Sequence, residues 1–204
     1  DDAILVCMIR QLRQQDPDLP ITVMTRKPRQ TAMLTGVSTV HIFNTPAAGR
    51  VMRKSQLYIS GGGSLIQNVT SNRSLRYYLF SIRQAKRLGC KVMMYGCGIG
   101  PIKSPSNRSR AAKVINKYVD AITLRDPNSL KELESMGITK PSINLAADTT
   151  VILPPAAPDV LDGILESYSG GRDIDRLELY RHPDKDVIID IIAKLLRIVY
   201  PGYS

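Results

Sequence analysis

Two glycine-rich blocks carry the residues most able to do chemistry, Gly61-Gly62-Gly63-Ser64 and Gly96-Cys97-Gly98-Ile99-Gly100-Pro101. Each follows a short apolar run, Leu57 to Ser60 and Val92 to Tyr95, that reads as a buried strand. Glycines at the carboxyl end of a strand let backbone amides approach an anion closely, and a following helix adds partial positive charge from its first turn. Arg73 and Arg76, and Arg125 at a further strand end, supply guanidinium groups for the same task, with Tyr77 beside them. Glycines at strand ends also make tight turns with no ligand, and both readings remain open at this level. Neither block has the P-loop spacing, and the second is one residue short of the dinucleotide fingerprint, which argues against a kinase or a dehydrogenase. If the first block cradles an anion, a bulky residue at Gly62 or Gly63 is expected to abolish binding and leave the fold largely intact.

Proton-transfer groups are scarce. No carboxylate occurs between Asp18 and Asp120, and of the two histidines His41 lies in an alternating strand pattern that suits a packed residue. Arg125, Asp126 and His182 are the candidates for catalysis, Arg125-Asp126 reading equally well as the start of a capped helix and His182 as a loop residue.

The elements that must position these groups alternate. A helix from Ala3 to about Gln15 is followed by a strand, Ile21 to Met24. A helix opened by Pro28 and closed near Gly36, a strand over Val37 to Phe43 and a helix over Ala47 to Lys54 precede the first glycine block. Leu75, Tyr78, Leu79 and Ile82 mark the inner face of a helix that stops at Gly89, with Arg76, Arg83 and Arg87 on another face. A helix from Ser104 and Pro105 to about Tyr118, a strand over Ala121 to Leu124 and a helix from Asp126 and Pro127 to Gly137 complete the regular pattern. This order predicts an α/β fold with a doubly wound, Rossmann-like parallel sheet. Pro154, Pro155 and Pro158 resemble an interdomain linker, Ser169 to Arg172 a loop, and Val187 to Val199 an isolated apolar helix.

Charge is distributed unevenly. Of 28 Lys and Arg, 19 fall in residues 1–120 against 5 acids, and 9 in the remainder against 13. Such a field draws anions. Zinc-finger spacing and aromatic RNA-binding strands are missing, and with two Phe and no Trp nucleic acid is not the expected partner. Three cysteines without ligand spacing suit a reducing, cytoplasmic setting. No apolar run approaches the roughly 20 residues that span a bilayer, which leaves only peripheral contact with the inner face of a cell membrane.

The stretch from Ile59 through Ser71, continuing to Ser74-Leu75-Arg76-Tyr77-Tyr78, resembles the central motif of the polysaccharide pyruvyl transferases. Tyr95 to Pro101, Ile122 to Asp126 with Ser129-Leu130, and Ala147-Asp148 are similar to further blocks of that family in the same order. Asn68, Cys97 and Thr149 stand where Asp, Gln and Pro are common. The resemblance covers roughly residues 2–155 and is nearest to the bacterial branch that pyruvylates N-acetylmannosamine of the secondary cell-wall polymer anchoring S-layer proteins. It implies a transferase that moves pyruvate from phosphoenolpyruvate to a lipid-linked or polymeric saccharide as a ketal, with no cofactor and no metal. It also implies a two-domain, glycosyltransferase-B-like fold. On that reading residues 1–154 are the N-terminal nucleotide-type domain, its first strand and loop, expected before Asp2, missing; 155–172 are a linker; and 173–204 an atypical tail or the start of a truncated second domain. Substrate-binding positions carried by the matching motifs are Gly61, Gly62, Gly63, Ser64, Arg73, Arg76, Tyr77, Gly96, Gly98 and Gly100. A glycosyltransferase of the same architecture and a non-catalytic anion-binding module are the alternatives.

Overall fold

The computed structural model describes residues 2–68 and 71–152. The expected linker, loop and C-terminal helix, and His182, lie outside them.

Helix α1 (Asp2–Gln15) leads to strand β1 (Thr22–Thr25), helix α2 (Pro28–Thr35), strand β2 (Ser38–His41), helix α3 (Thr45–Lys54) and strand β3 (Leu57–Ile66). Helix α4 (Asn72–Arg87), strand β4 (Lys91–Ile99), helix α5 (Pro105–Tyr118), strand β5 (Ala121–Leu124), helix α6 (Pro127–Ser135) and strand β6 (Ser142–Leu145) follow. A turn of 3-10 helix over Thr149–Ile152 ends the described chain. Proline stands in the first turn of α2, α3, α5 and α6, where its missing N–H would have had no intrahelical partner. Gly36 and Gly137 stop α2 and α6 in left-handed conformation, at φ of 65° and 69°. Ser104 precedes α5 without a capping bond to the helix, its hydroxyl pairing instead with that of Ser106 at 3.0 Å.

All strand pairs are parallel, in two ladders: β1 with β2, and β3-β4-β5-β6 in that order. Alternation sorts the faces of the larger sheet. Val92, Met94, Ile122 and Leu124 point into a core closed by Leu75, Leu79 and Ile82 of α4, Ala111 and Ile115 of α5 and Leu133 of α6. Each buried Val, Leu, Ile or Met among these contributes roughly 1.5–3 kcal/mol. Residues on the alternate register face α1, as the bond from the Tyr95 hydroxyl to Gln11 marks. Helices on both faces of parallel strands make the fold Rossmann-like and doubly wound. Met24 of β1 packs against the core of the larger sheet, although the two ladders are not paired by strand hydrogen bonds.

Strand β6 has no expected counterpart. Its four residues are mostly exposed, so the burial that makes a strand visible in sequence is absent, and Ile143 alone packs on the core.

Asp120 ties the layers together. Its carboxylate accepts from Lys86 Nζ at the end of α4 (2.6 and 2.7 Å) and from the Val92 amide of β4 (2.7 Å). Desolvation opposes its charge, but these bonds prevail and hold the carboxyl below the usual Asp range. A depressed folded pKa stabilises the native state above the unfolded value of about 3.9, and the benefit is lost as pH falls through the folded pKa. Asp120→Asn is therefore expected to cost about 1–2 kcal/mol at pH 7, the pair being one-third exposed, and little at pH 3. Urea unfolding at both pH values checks this; an equal deficit at pH 3 would remove the charge from the account.

Candidate functional site

The first glycine block lies inside a strand and not in a loop after it, as its sequence suggests, and so does the second as far as Ile99. Strand β3 continues to Ile66, with Gly61 opposite Tyr95 and Gly63 opposite Cys97, and β4 continues to Ile99. The register slips between Gly63 and Ile66, and Gly62 and Gly63 adopt φ of 76° and 71°. The physical reason for glycine here is the close approach of α1. A Cβ on Gly61 would lie 2.5 Å from Met8 Cε, and one on Gly62 2.3 Å from Ile4 Cγ2.

The second block makes room of another kind. A Cβ on Gly98 would lie 2.7 Å from Ser64 Oγ and 3.2 Å from Arg125 Nε and Nη2. One on Gly96 would meet Thr149, and one on Gly100 would meet Glu132. Arg125 follows β5 directly and lies across β4 where Gly98 has no side chain. Its Nη1 donates to Asp148 Oδ2 at 2.9 Å and its Nη2 to Ser64 Oγ at 3.1 Å. One guanidinium thus joins the carboxyl ends of three strands, β3, β5 and β6. Asp148 also accepts from the Thr150 amide (3.0 Å) and hydroxyl (2.8 Å). Desolvation raises its pKa, but Thr150 and Arg125 outweigh that and keep it ionised.

Beside this bridge is an open cleft of about 340 Å³, lined by Ser64, Gly98, Ile99, Gly100, Pro101, Asp126, Asn128, Ser129 and Glu132. Asp126 is the cap of α6, accepting from the Ser129 amide and hydroxyl at 2.8 Å each, and the Ser129 hydroxyl accepts from the Ile99 amide at 2.8 Å. The Ser129 bonds, stronger than the opposing desolvation, keep Asp126 ionised as well. A carboxylate thus already occupies the start of α6, and Glu132, paired with Arg108, adds a second acidic group. This wall offers acceptors to hydroxyl groups, while Arg125 offers donors to an anion.

Arg73, Arg76, Tyr77 and His41 take no part in the hydrogen bonds of the bridge. Arg73 and Arg76 are exposed on the first turns of α4, capped by Ser71, and no ion pair among the described residues engages them. Tyr77 is half-buried, edge-on to Tyr78 at 5.5 Å. Burial raises its pKa and Arg26, at the end of β1, acts against the rise. His41 ends β2, where its Nδ1 accepts from the Phe43 amide at 3.2 Å, fixing a turn. All three cysteines are buried and unpaired, and burial pushes the Cys97 thiol up to about 12, which leaves it no thiolate for nucleophilic work.

Asp148 and Ser129 are legible in the sequence only as parts of motifs, without a role, and Glu132 not at all. The available signal was position: Asp148 closes the short run after Pro141 as Arg125 closes the run before it.

The fold is Rossmann-like, and the Arg125 bridge lies on the carboxyl rim of its sheet, the edge where α/β folds take their ligands. A family model for the polysaccharide pyruvyl transferases matches residues 1–201, and the chain belongs to that family. It is therefore a transferase, with a polysaccharide as the acceptor that the family implies. No curated protein and no solved structure gives a significant match. Among the described residues no helix is long and apolar enough to cross a membrane.

Proposed function

We infer that the protein transfers pyruvate from phosphoenolpyruvate to a cell-wall sugar, N-acetylmannosamine of the secondary polymer, leaving it as a ketal. The described residues form one wall of a glycosyltransferase-B-like cleft. The observation that carries this reading is the bridge from Arg125 to Ser64 and Asp148 beside a cleft edged by carboxylates.

The reaction needs a proton on the methylene carbon of the donor, which makes the adjacent carbon electrophilic. One acceptor hydroxyl adds there and the carbon–oxygen bond to phosphate breaks. A second hydroxyl closes the ketal, one hydroxyl proton replacing that given to the carbon and the other leaving with phosphate. Arg125 and Ser64 donate to the donor's anionic groups, with Gly98 and Gly100 keeping the floor flat. Arg73 and Arg76 give further cationic donors and Tyr77 a sugar-facing ring. Gly61, Gly62, Gly63 and Gly96 shape the strand ends beneath. Asp126 and Glu132 accept from sugar hydroxyls. Asp126 and Asp148, held ionised, are not the acid of the first step, and His182 lies outside the described residues.

Titrating phosphoenolpyruvate and, separately, a uridine diphosphate sugar against the 204-residue chain tests the donor. Saturable binding of phosphoenolpyruvate alone is expected. Preference for the nucleotide sugar would replace this reading with a glycosyltransferase. The acceptor is read from phosphate release in the presence of an N-acetylmannosamine-containing carrier.

A further inference from the structure

Helix α4 has two faces of opposite chemistry. Leu75, Leu79, Ile82 and Ala85 are buried, whereas Arg73, Arg76, Phe80, Arg83 and Arg87 form an exposed stripe at helical spacing. Phe80, at its centre, is 54% exposed, an uncommon position for a large aromatic ring on a folded surface. Helices α3 and α5 pack on either side of α4, and they continue the stripe sideways. Arg50 and Arg53 are exposed on α3, and Arg110, Lys113 and Lys117 on α5.

No carboxylate lies anywhere from residue 19 to residue 119, so this three-helix face has no acid of its own. The ion pairs among the described residues engage Lys86, Arg108 and Arg125, and none of the cations just named. Concentrating like charge on one face is unfavourable for the isolated chain, which makes a polyanionic partner the physical complement.

We propose that the outer face of α3, α4 and α5 docks on an anionic lipid bilayer. Three helices side by side on a sheet present a broad face rather than a groove, matching a planar array of phosphate headgroups. An aromatic side chain among arginines suits the boundary between headgroups and acyl chains. Nucleic acid fits less well, because the face carries one exposed aromatic ring and no platform for stacking successive bases. Each cation brought to an anionic surface strengthens partitioning about fivefold, and the attraction falls with salt.

The test is flotation of the 204-residue chain with vesicles of phosphatidylcholine containing about 30% phosphatidylglycerol, chosen as an anionic surface on which surface-bound cations act. Binding to these vesicles but not to pure phosphatidylcholine is expected, weakening at least tenfold when salt is raised from about 0.1 to 0.5 M. Arg83→Glu with Arg87→Glu should weaken it by more than about 100-fold with an unchanged thermal transition. Arg10→Glu with Arg13→Glu, the same charge change on the exposed side of α1, should alter it by less than about fivefold. Equal losses in the two pairs, binding to neutral vesicles, or tighter binding to duplex DNA than to the anionic vesicles would overturn the proposal.

Discussion

Gly62→Ala is expected to lower the stability of the fold by about 2–4 kcal/mol, a large share of the roughly 5–15 kcal/mol available to a domain. Two costs add. At φ of 76° any Cβ is strained against its own backbone by about 1–2 kcal/mol. The new methyl would also sit 2.3 Å from Ile4 Cγ2, and that atom belongs to a short, branched side chain on α1 that moves only if the helix moves. Overpacking of this kind costs about 1–3 kcal/mol. Gly89→Ala separates the terms, since Gly89 has φ of 100° with nothing within 4 Å of a Cβ. Gly89→Ala should therefore show only the backbone cost, while Gly62→Ala with Ile4→Ala should recover part of its loss. Thermal unfolding of the four proteins is the measurement. Equal shifts for Gly62→Ala and Gly89→Ala would mean that α1 does not press on β3.

This reverses the sequence-level expectation for Gly62, and the cause is instructive. Apolar periodicity located the helices well: Leu75, Leu79 and Ile82 do line the inner face of α4, and Asp126 with Pro127 does open α6. A run of glycines interrupts periodicity because glycine has no side chain to count, so apolar periodicity alone ends β3 and β4 where their glycines begin. In the folded chain Gly61 to Gly63, Gly96 and Gly98 stay within the strands and serve contacts made by residues far away in sequence, Ile4 and Met8 in one block and Arg125 in the other. Long-range packing of this sort leaves no local trace. The same holds for the bridge, where Ser64 and Arg125 are 61 positions apart and Arg125 and Asp148 are 23 apart. Residue type and strand-end position singled out Ser64 and Arg125, but not that one touches the other.

The largest functional effect is expected at Arg125. Arg125→Ala should weaken phosphoenolpyruvate binding by about 10- to 100-fold, because charge-assisted hydrogen bonds to an anion are worth about 1.5–3 kcal/mol. The guanidinium is held in place before any ligand arrives, by Asp148 on one side and Ser64 on the other, so little ordering is needed on binding. Arg125→Lys should recover less than half of the binding free energy, since an ammonium cannot hold Ser64 and Asp148 together and still face a ligand. Net charge alone would also lower affinity, so a control at equal charge is needed. Arg108 is unsuitable, because its removal would free Glu132 at the cleft, whereas Lys113 is exposed on α5 away from the bridge. Lys113→Ala should change affinity by less than about twofold at 0.1 M salt, where the Debye length is about 10 Å. Gly98→Ala removes no charge but places a methyl against Ser64 Oγ and the guanidinium, and should weaken binding at least about fivefold by displacing the bridge. Calorimetric titration of these four variants decides the matter. If Arg125→Ala and Lys113→Ala behave alike, or Gly98→Ala binds as the parent does, the anion is held by a diffuse field and not by the bridge.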